Sequence, residues 1–326
     1  MKRVTIIVPE CQVNLNSVGG AYDILRIAND IWQKQGHPAK LNIDIAAFSP
    51  EIKSHNNYLA ILPKDIREIE RTDLILIPAL LGEYENAIQN NQKLIDWIAA
   101  QYRLGAEIAS MCSGAFLLAA TGLLNGRNCS THWSRVDDFH KMYPEVHITQ
   151  DKIITEDNGI YTNGGAYSFL NLIIYLVEKL FDRNIAIFCS KYFQIDIERA
   201  TQSPFAIFRM QKKHGDQIVD QAQTYIEQHL DAKISFEKLA ADLAISRRNF
   251  DRRFVKATGN TPMEYLQRVK IEAAKKELEN GRKSVFEVMN DVGYADDKAF
   301  REVFKKITGL SPLDYRNKYN SGRSVG

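Results

Sequence analysis

The last third of the chain repeats itself. Laying residues 235–268 over residues 285–318 sets Phe236-Glu237 on Phe286-Glu287, Phe250 and Phe254 on Phe300 and Phe304, and Lys256 on Lys306, with no gap introduced. Thr258-Gly259 then falls on Thr308-Gly309, Pro262 on Pro312, Tyr265 on Tyr315 and Arg268 on Lys318. Matches at this density mean one supersecondary unit present twice, which confines the region to folds assembled from a tandem.

The unit is helical. In the first copy Ser235 is placed to cap a short helix with Leu239, Ala240 and Leu243 on its apolar stripe, and Ala244-Ile245 forms a tight turn. Ser246 caps a second helix that turns Phe250 and Phe254 inward at i, i+4 spacing. The other face of that helix offers Arg247, Arg248, Asn249, Asp251, Arg252 and Arg253. Gly259 suits the left-handed end of a helix, and Pro262 starts the next one, where its missing N–H costs nothing. In the second copy Ser284 caps residues 285–291, Gly293-Tyr294 makes the turn, and Asp296 caps a helix running to Lys306. Two helices joined by a short turn, the second basic outside, form a helix-turn-helix. A helix over residues 263–278 joins the copies, so that two reading heads enter successive major grooves on one face of DNA. An ordinary helical bundle with wet charged faces is the plain alternative; repetition, turn glycines and the basic second helix together weigh against it.

Charge agrees. Residues 212–326 carry 22 Lys+Arg against 17 Asp+Glu, while residues 1–211 carry 20 against 23, so the formal net charge of +2 conceals a basic part joined to a mildly acidic one.

Gly293-Tyr294, Phe300 to Phe304-Lys305-Lys306, and Gly309-Leu310-Ser311-Pro312 to Tyr315-Arg316 resemble the DNA-binding domain of the AraC/XylS family over roughly residues 215–320. By position the resemblance implies base-facing roles for Arg248, Asp251 and Arg252, with Asp297, Lys298 and Glu302 in the matching places of the second reader. Glu302 departs from the family, where an arginine is common. The first reading helix is therefore expected to dominate specificity, while Lys298, Arg301, Lys305 and Lys306 contact mostly the backbone. Arg247 and Asn249 complete the expected DNA-binding set.

The first two-thirds alternates strands and helices: strands at 4–8, 41–48, 74–78 and 106–111, helices around 21–32, 94–102, 113–121 and 132–142. Short runs at 153–155 and 160–162 flank the hairpin turn Asp157-Asn158-Gly159, and Asn163-Gly164-Gly165 opens a long apolar helix through Phe181. Such alternation implies a mostly parallel sheet sandwiched by helices, with ligands beyond the carboxyl ends of the strands. There Ser110-Met111-Cys112-Ser113-Gly114 reads as a nucleophile elbow, whose helix N-terminus would lower the thiol pKa. His132, twenty residues on, and Gly164-Gly165 at another helix start are placed to close the same pocket.

Residues 111–119, with Gly122-Leu123-Leu124 and Thr131-His132-Trp133, resemble the ThiJ/PfpI superfamily, which is glutamine-amidotransferase-like, over roughly residues 1–190. Joined to the tandem readers, the whole chain resembles the GlxA type of AraC-family regulator. Two departures bear on chemistry. Pro78 is followed by Ala79-Leu80-Leu81, with a glycine only at Gly82, where catalytic members usually have a glycine pair for the oxyanion hole. The first strand-helix loop reads Asn14-Leu15-Asn16-Ser17 where many relatives place a carboxylate, and Glu10 sits early for that role. Three readings of the pocket stand: a non-catalytic ligand pocket of Cys112, Ser113, His132, Asn163, Gly164 and Gly165, which is favoured; a Cys112-dependent redox sensor; and an amidase or glyoxalase-like enzyme. The blandest account keeps Cys112 as a small residue for the turn and His132 as a satisfied histidine beside Trp133.

The expected whole is an α/β domain at 1–190 that senses a small molecule and dimerises, a linker at 191–213, an all-α double helix-turn-helix domain at 214–320 and a disordered tail at 321–326. Its partners are double-stranded DNA, an unidentified small-molecule effector, a second copy, and RNA polymerase as a candidate. No cofactor or metal is expected, because Cys11, Cys112, Cys129 and Cys189 are scattered with no CxxC pair, which suits a reducing cytoplasm. The apolar run after Lys2-Arg3 is too short for a signal peptide, and Glu178-Lys179 interrupts the best candidate membrane span.

Overall fold

The computed structural model describes residues 1–54, 59–149, 151–197, 201–208, 210–212 and 214–320, so the expected disordered tail at 321–326 lies outside the described residues. The chain divides into two compact units, Met1–Gln202 and Ser203–Gly326. No helix among the described residues is long and apolar enough to cross a membrane, and no group of His, Cys, Asp or Glu there could hold a metal ion.

The first unit is built on a seven-stranded sheet in the order Ile154–Asp157, Ile160–Asn163, Glu107–Ser110, Leu74–Ile77, Lys2–Ile7, Leu41–Ala47 and Lys64–Asp65. All pairings are parallel except the edge hairpin of Ile154–Asp157 with Ile160–Asn163, whose turn places Asn158 and Gly159 at positive φ. Alternation sorts the strand side chains into two cores. Ile75, Ile77 and Ile108 pack against the helices Gln92–Arg103 and Ala115–Ala120, whereas Leu74, Leu76 and Ala109 pack against Leu15–Lys34 and Phe169–Leu180. Burial on both faces explains why Leu74–Ile77 is an unbroken apolar run. The first helix begins earlier than its apolar stripe does, at Leu15, because the Asn14 side chain accepts the Asn16 N–H and caps it. The carboxyl ends of four neighbouring parallel strands (Ile7, Ile77, Ser110 and Asn163) deliver the chain to one edge of the sheet.

The second unit has two cores with one helix between them. Pro262–Asn280 gives Tyr265, Leu266 and Val269 to the first core, then Ile271, Ala274 and Leu278 to the second. The tandem recurs in geometry: Phe250–Phe254 and Phe300–Phe304 ring centroids are 5.6 and 5.7 Å apart, and Phe254–Tyr265 and Phe304–Tyr315 are 5.4 and 5.5 Å apart. Gly259 and Gly309 both take the left-handed cap, and Ser235, Ser246, Ser284 and Asp296 cap the four reader helices.

The ungapped match fails at one point. The second helices, Arg247–Thr258 and Asp297–Thr308, are 50 residues apart, but the first helices, Phe236–Asp242 and Val285–Asp291, are 49 apart. The second turn is one residue longer. Val285, not Phe286, therefore stands where Phe236 does, and the identity of the two phenylalanines is a coincidence of register. Exposure shows it: Phe236 is 4% exposed and Phe286 62%.

The segment read as a linker is built into both units at its ends. The helix Arg183–Tyr192 runs past residue 190 into it, and Gln202 belongs to the first unit. Beyond it, the Ala206 carbonyl accepts from Lys275 Nζ at 2.6 Å and the Phe208 N–H donates to Glu272 Oε2 at 3.1 Å. Lys275 and Glu272 are themselves a buried ion pair at 2.7 Å, so each charge is compensated and also satisfies arm backbone.

Candidate functional site

Helical spacing puts Arg248, Arg252 and Lys256 on one exposed stripe of Arg247–Thr258. Arg252 Nη2 donates to Asn249 Oδ1 at 3.0 Å, and Arg248 carries no ion pair among the described residues. Arg252, Asn249 and Lys256 line a cleft of about 400 Å³ with Asp216 and Arg253. Lys256 is the site residue that the sequence reading missed, although its i+4 and i+8 relation to Arg252 and Arg248 was the available signal. Arg253 points elsewhere than expected: its guanidinium clamps Asp216 at 2.8 and 2.9 Å and holds that carboxyl below its ordinary range. Asp216 in turn caps the helix Gln217–Gln228, so Arg253 fixes the frame and does not join the reading stripe.

Asp251 is half-buried and taken by Arg247 Nε at 2.9 and 3.0 Å, and Arg247 Nη1 also reaches Glu237 at 2.6 Å across the turn. The second reader carries the same i,i+4 pair with its charges exchanged, Arg301 Nε bonding Asp297 at 2.8 and 2.9 Å. Place for place, Asp297 therefore answers Arg247 and Arg301 answers Asp251, which corrects the pairing expected from the sequence. Lys298 and Glu302 answer Arg248 and Arg252; they and Lys305 are exposed. Where the first helix offers Arg252, the second offers a carboxylate.

At the sheet edge of the first unit the elbow is present. Cys112 has φ +54°, a left-handed conformation that a side chain rarely takes. A Cβ at Gly114 would lie 2.6 Å from the Pro78 carbonyl oxygen and 2.8 Å from that of Ile77, so the turn admits only glycine there. The Cys112 N–H donates to Asn163 Oδ1 at 3.3 Å, and its carbonyl accepts from Thr131 Oγ1 at 3.2 Å. Asn163 and Thr131 are thus held to the Cys112 backbone. His132 serves the backbone: its Nδ1 accepts the Ser134 N–H at 3.2 Å and lies 2.8 Å from Ser134 Oγ.

Burial works against the thiolate of Cys112. Cys112 is 6% exposed, and burial pushes its pKa up to about 11, overriding the hydrogen bonds from Ser113 and the nearby Arg135 charge that favour the thiolate. The expectation of a lowered pKa at a helix N-terminus fails because desolvation of the thiolate is the larger effect. Several donors near the elbow are already bonded. The Ala79 N–H donates to Ser17 Oγ at 3.1 Å, the Leu81 N–H to the Gln12 carbonyl at 2.7 Å, and Ser113 Oγ to the Leu80 carbonyl at 2.6 Å. Glu10 is turned to Ser49.

Sequence reasoning also missed Gln202. It is 1% exposed; its Nε2 donates to the Thr131 carbonyl at 3.0 Å, and its Oε1 accepts from the Trp133 N–H at 3.2 Å. A Cβ at Gly164 would lie 2.3 Å from that Nε2. The signal was the glycine pair itself, which needs a close neighbour to explain it.

Residues 10–179 match the DJ-1/PfpI family, and residues 239–318 match a helix-turn-helix domain family. The chain is 24% identical over 235 residues to the HTH-type transcriptional regulator GbdR of Pseudomonas aeruginosa, covering 71% of this chain and 63% of that one. It thus spans less than two-thirds of that relative's length. To the HTH-type transcriptional regulator GlxA of Rhizobium meliloti it is 25% identical over 224 residues, covering 67% of this chain and 68% of the other. A ThiJ/PfpI family protein from Pseudomonas syringae superposes with a TM-score of 0.51 at 20% identity, covering 74% of this chain and 90% of that one, a likeness of fold.

Proposed function

We propose that this chain, which belongs to the DJ-1/PfpI family and ends in a helix-turn-helix domain of the AraC type, is a sequence-specific DNA-binding transcription regulator. The observation that carries this is the tandem of capped helix pairs on one rigid connecting helix, the first displaying Arg248, Arg252 and Lys256 as an exposed stripe. Arg248 and Arg252 read bases from the first helix, Arg252 foremost, while Lys256, Lys298, Arg301, Lys305 and Lys306 contact mostly the backbone. Arg247–Asp251 and Asp297–Arg301 set the helix surfaces that face the groove and contact bases only where those pairs open. The relatives named as transcription regulators support the same reading.

The first unit is a non-catalytic sensor of a small metabolite at the Cys112 edge of the sheet. The raised thiol pKa and the engaged N–H groups of Ala79 and Leu81 support binding over turnover, and the burial that raises that pKa disfavours a redox role for Cys112. The sensor unit also pairs two copies of the chain in the cytoplasm.

Selection from a randomised duplex library tests the reading, with wild type beside Arg252→Ala at moderate and high salt. An enriched motif that Arg252→Ala weakens about tenfold or more is expected, the loss of one bidentate base contact. Salt-sensitive binding with no enriched motif would overturn it.

A further inference from the structure

We propose that Gln202 is an internal ligand: its carboxamide fills a cradle built for a primary amide, and a small primary-amide metabolite competes with it there. The proposal rests on the reading of the first unit as a sensor and names the chemical class it senses.

The cradle presents one acceptor beside one donor, the Thr131 carbonyl to Nε2 and the Trp133 N–H to Oε1. A carboxamide matches both. A carboxylate would set a negative oxygen against the Thr131 carbonyl, and an ammonium or guanidinium has nothing to accept the Trp133 N–H. The floor is glycine for this occupant: a Cβ at Gly164 would stand 2.3 Å from Gln202 Nε2 and 2.9 Å from its Cδ, while Gly165 sits at φ +92° with its notional Cβ 3.8 Å from Oε1. Beside Gly165, Ser168 Oγ is buried without a hydrogen-bond partner among the described residues. That hydroxyl gives a metabolite larger than the glutamine side chain one bond that Gln202 does not make, which is the differential affinity a competitor needs.

The two segments forming the cradle are those that hold the elbow, Thr131 through its bond to the Cys112 carbonyl and Asn163, next to Gly164, through its bond from the Cys112 N–H. Gln202 is also the last residue of the first unit, its own N–H bonded to the Asp151 carbonyl at 2.9 Å. A ligand that expels its side chain removes the bonds to Thr131 and Trp133 and leaves the main chain ahead of Ser203 held at Asp151.

The test uses the full chain and acetamide, which replaces the atoms that Gln202→Ala removes. Gln202→Ala is expected to lower Tm by on the order of 5 °C. Acetamide, binding at best in the millimolar range for so few atoms, should restore that loss at concentrations at least about tenfold below any effect on wild type, and acetate should not. DNA affinity of Gln202→Ala should differ from wild type by about threefold or more. An equal response of wild type and variant to acetamide, or equal rescue by acetate, overturns the cradle; unchanged DNA affinity overturns its coupling to the reader. Should Gln202→Ala not fold, Gln202→Glu fills the same space without the donor, and a wild-type Tm for it also overturns the cradle. Wild type that selects no DNA motif refutes the regulator reading instead, and the Tm comparison is independent of it.

Discussion

Phe236→Ala and Phe286→Ala look equivalent in the repeat and are expected to behave oppositely. Phe236 opens its helix with its ring 4% exposed, 6.4 Å from the Phe250 ring and beneath the Arg247 guanidinium at 5.5 Å. Truncating a buried phenylalanine costs about 3–5 kcal/mol, and the low end, about 3 kcal/mol, suits a helix start. Phe286 is 62% exposed, and its truncation should change stability by less than about 0.5 kcal/mol. Half-buried Val285, the true counterpart, should lose on the order of 1 kcal/mol on going to alanine. The first difference corresponds to roughly 10 °C in the melting of a unit this size. The assay must see the second unit. Trp32, Trp97 and Trp133, the chain's three tryptophans, all lie in the first, so far-UV circular dichroism or amide exchange of Arg247–Thr258 is the appropriate probe. Similar losses for the two phenylalanine variants, or a larger one for Phe286→Ala, would refute the one-residue slip between the copies.

Three further outcomes follow from contacts in the two units. Arg253→Ala should lower the melting temperature only slightly, since its pair with Asp216 is partly exposed, and should leave the selected DNA motif unchanged, whereas Arg252→Ala should alter the motif and spare the melting curve. The Arg253 guanidinium depresses the Asp216 pKa, so its contribution to stability is full above the ordinary carboxylate range and vanishes as pH falls through the depressed value. Acid titration beside Asp216→Asn should show the two curves converging at low pH. Cys112 runs the other way: with its thiol pushed up to about 11, stability is full below the ordinary thiol range and is lost as pH rises through that value. Alkylation of native protein should accordingly be slow at neutral pH and accelerate towards pH 11, and Cys112→Ala should flatten the alkaline limb of the stability curve.

What the sequence made legible was local. Ser235, Ser246, Ser284 and Asp296 as caps, Gly259 and Gly309 as helix ends, and the Asn158-Gly159 turn depend on neighbours within a few residues, and each appears where its chemistry put it. The parallel sheet followed from alternation of strands and helices. Register between the copies was not legible, because Phe236 and Phe286 match in type while only burial separates them. The Cys112 pKa was misjudged since the helix N-terminus is visible in sequence and the desolvating shell around it is not. For Gln202 the sequence held only half of the signal: Gly164-Gly165 called for a close neighbour, but Gln202 lies in an aperiodic segment about seventy residues from its partners Thr131 and Trp133, so nothing local named it.

The exchanged ion pairs, Arg247–Asp251 against Asp297–Arg301, together with Arg252 against Glu302, mean that the two heads are no longer copies where they would meet DNA. A palindrome bound by a two-fold dimer reads alike from either end. Two unlike heads in series on one chain do not; for a chain that reads DNA as proposed, they give each bound molecule an arrow along the duplex. Turning such a site end for end would exchange the places of the two heads, so the orientation of the site, and not only its sequence, becomes part of the instruction.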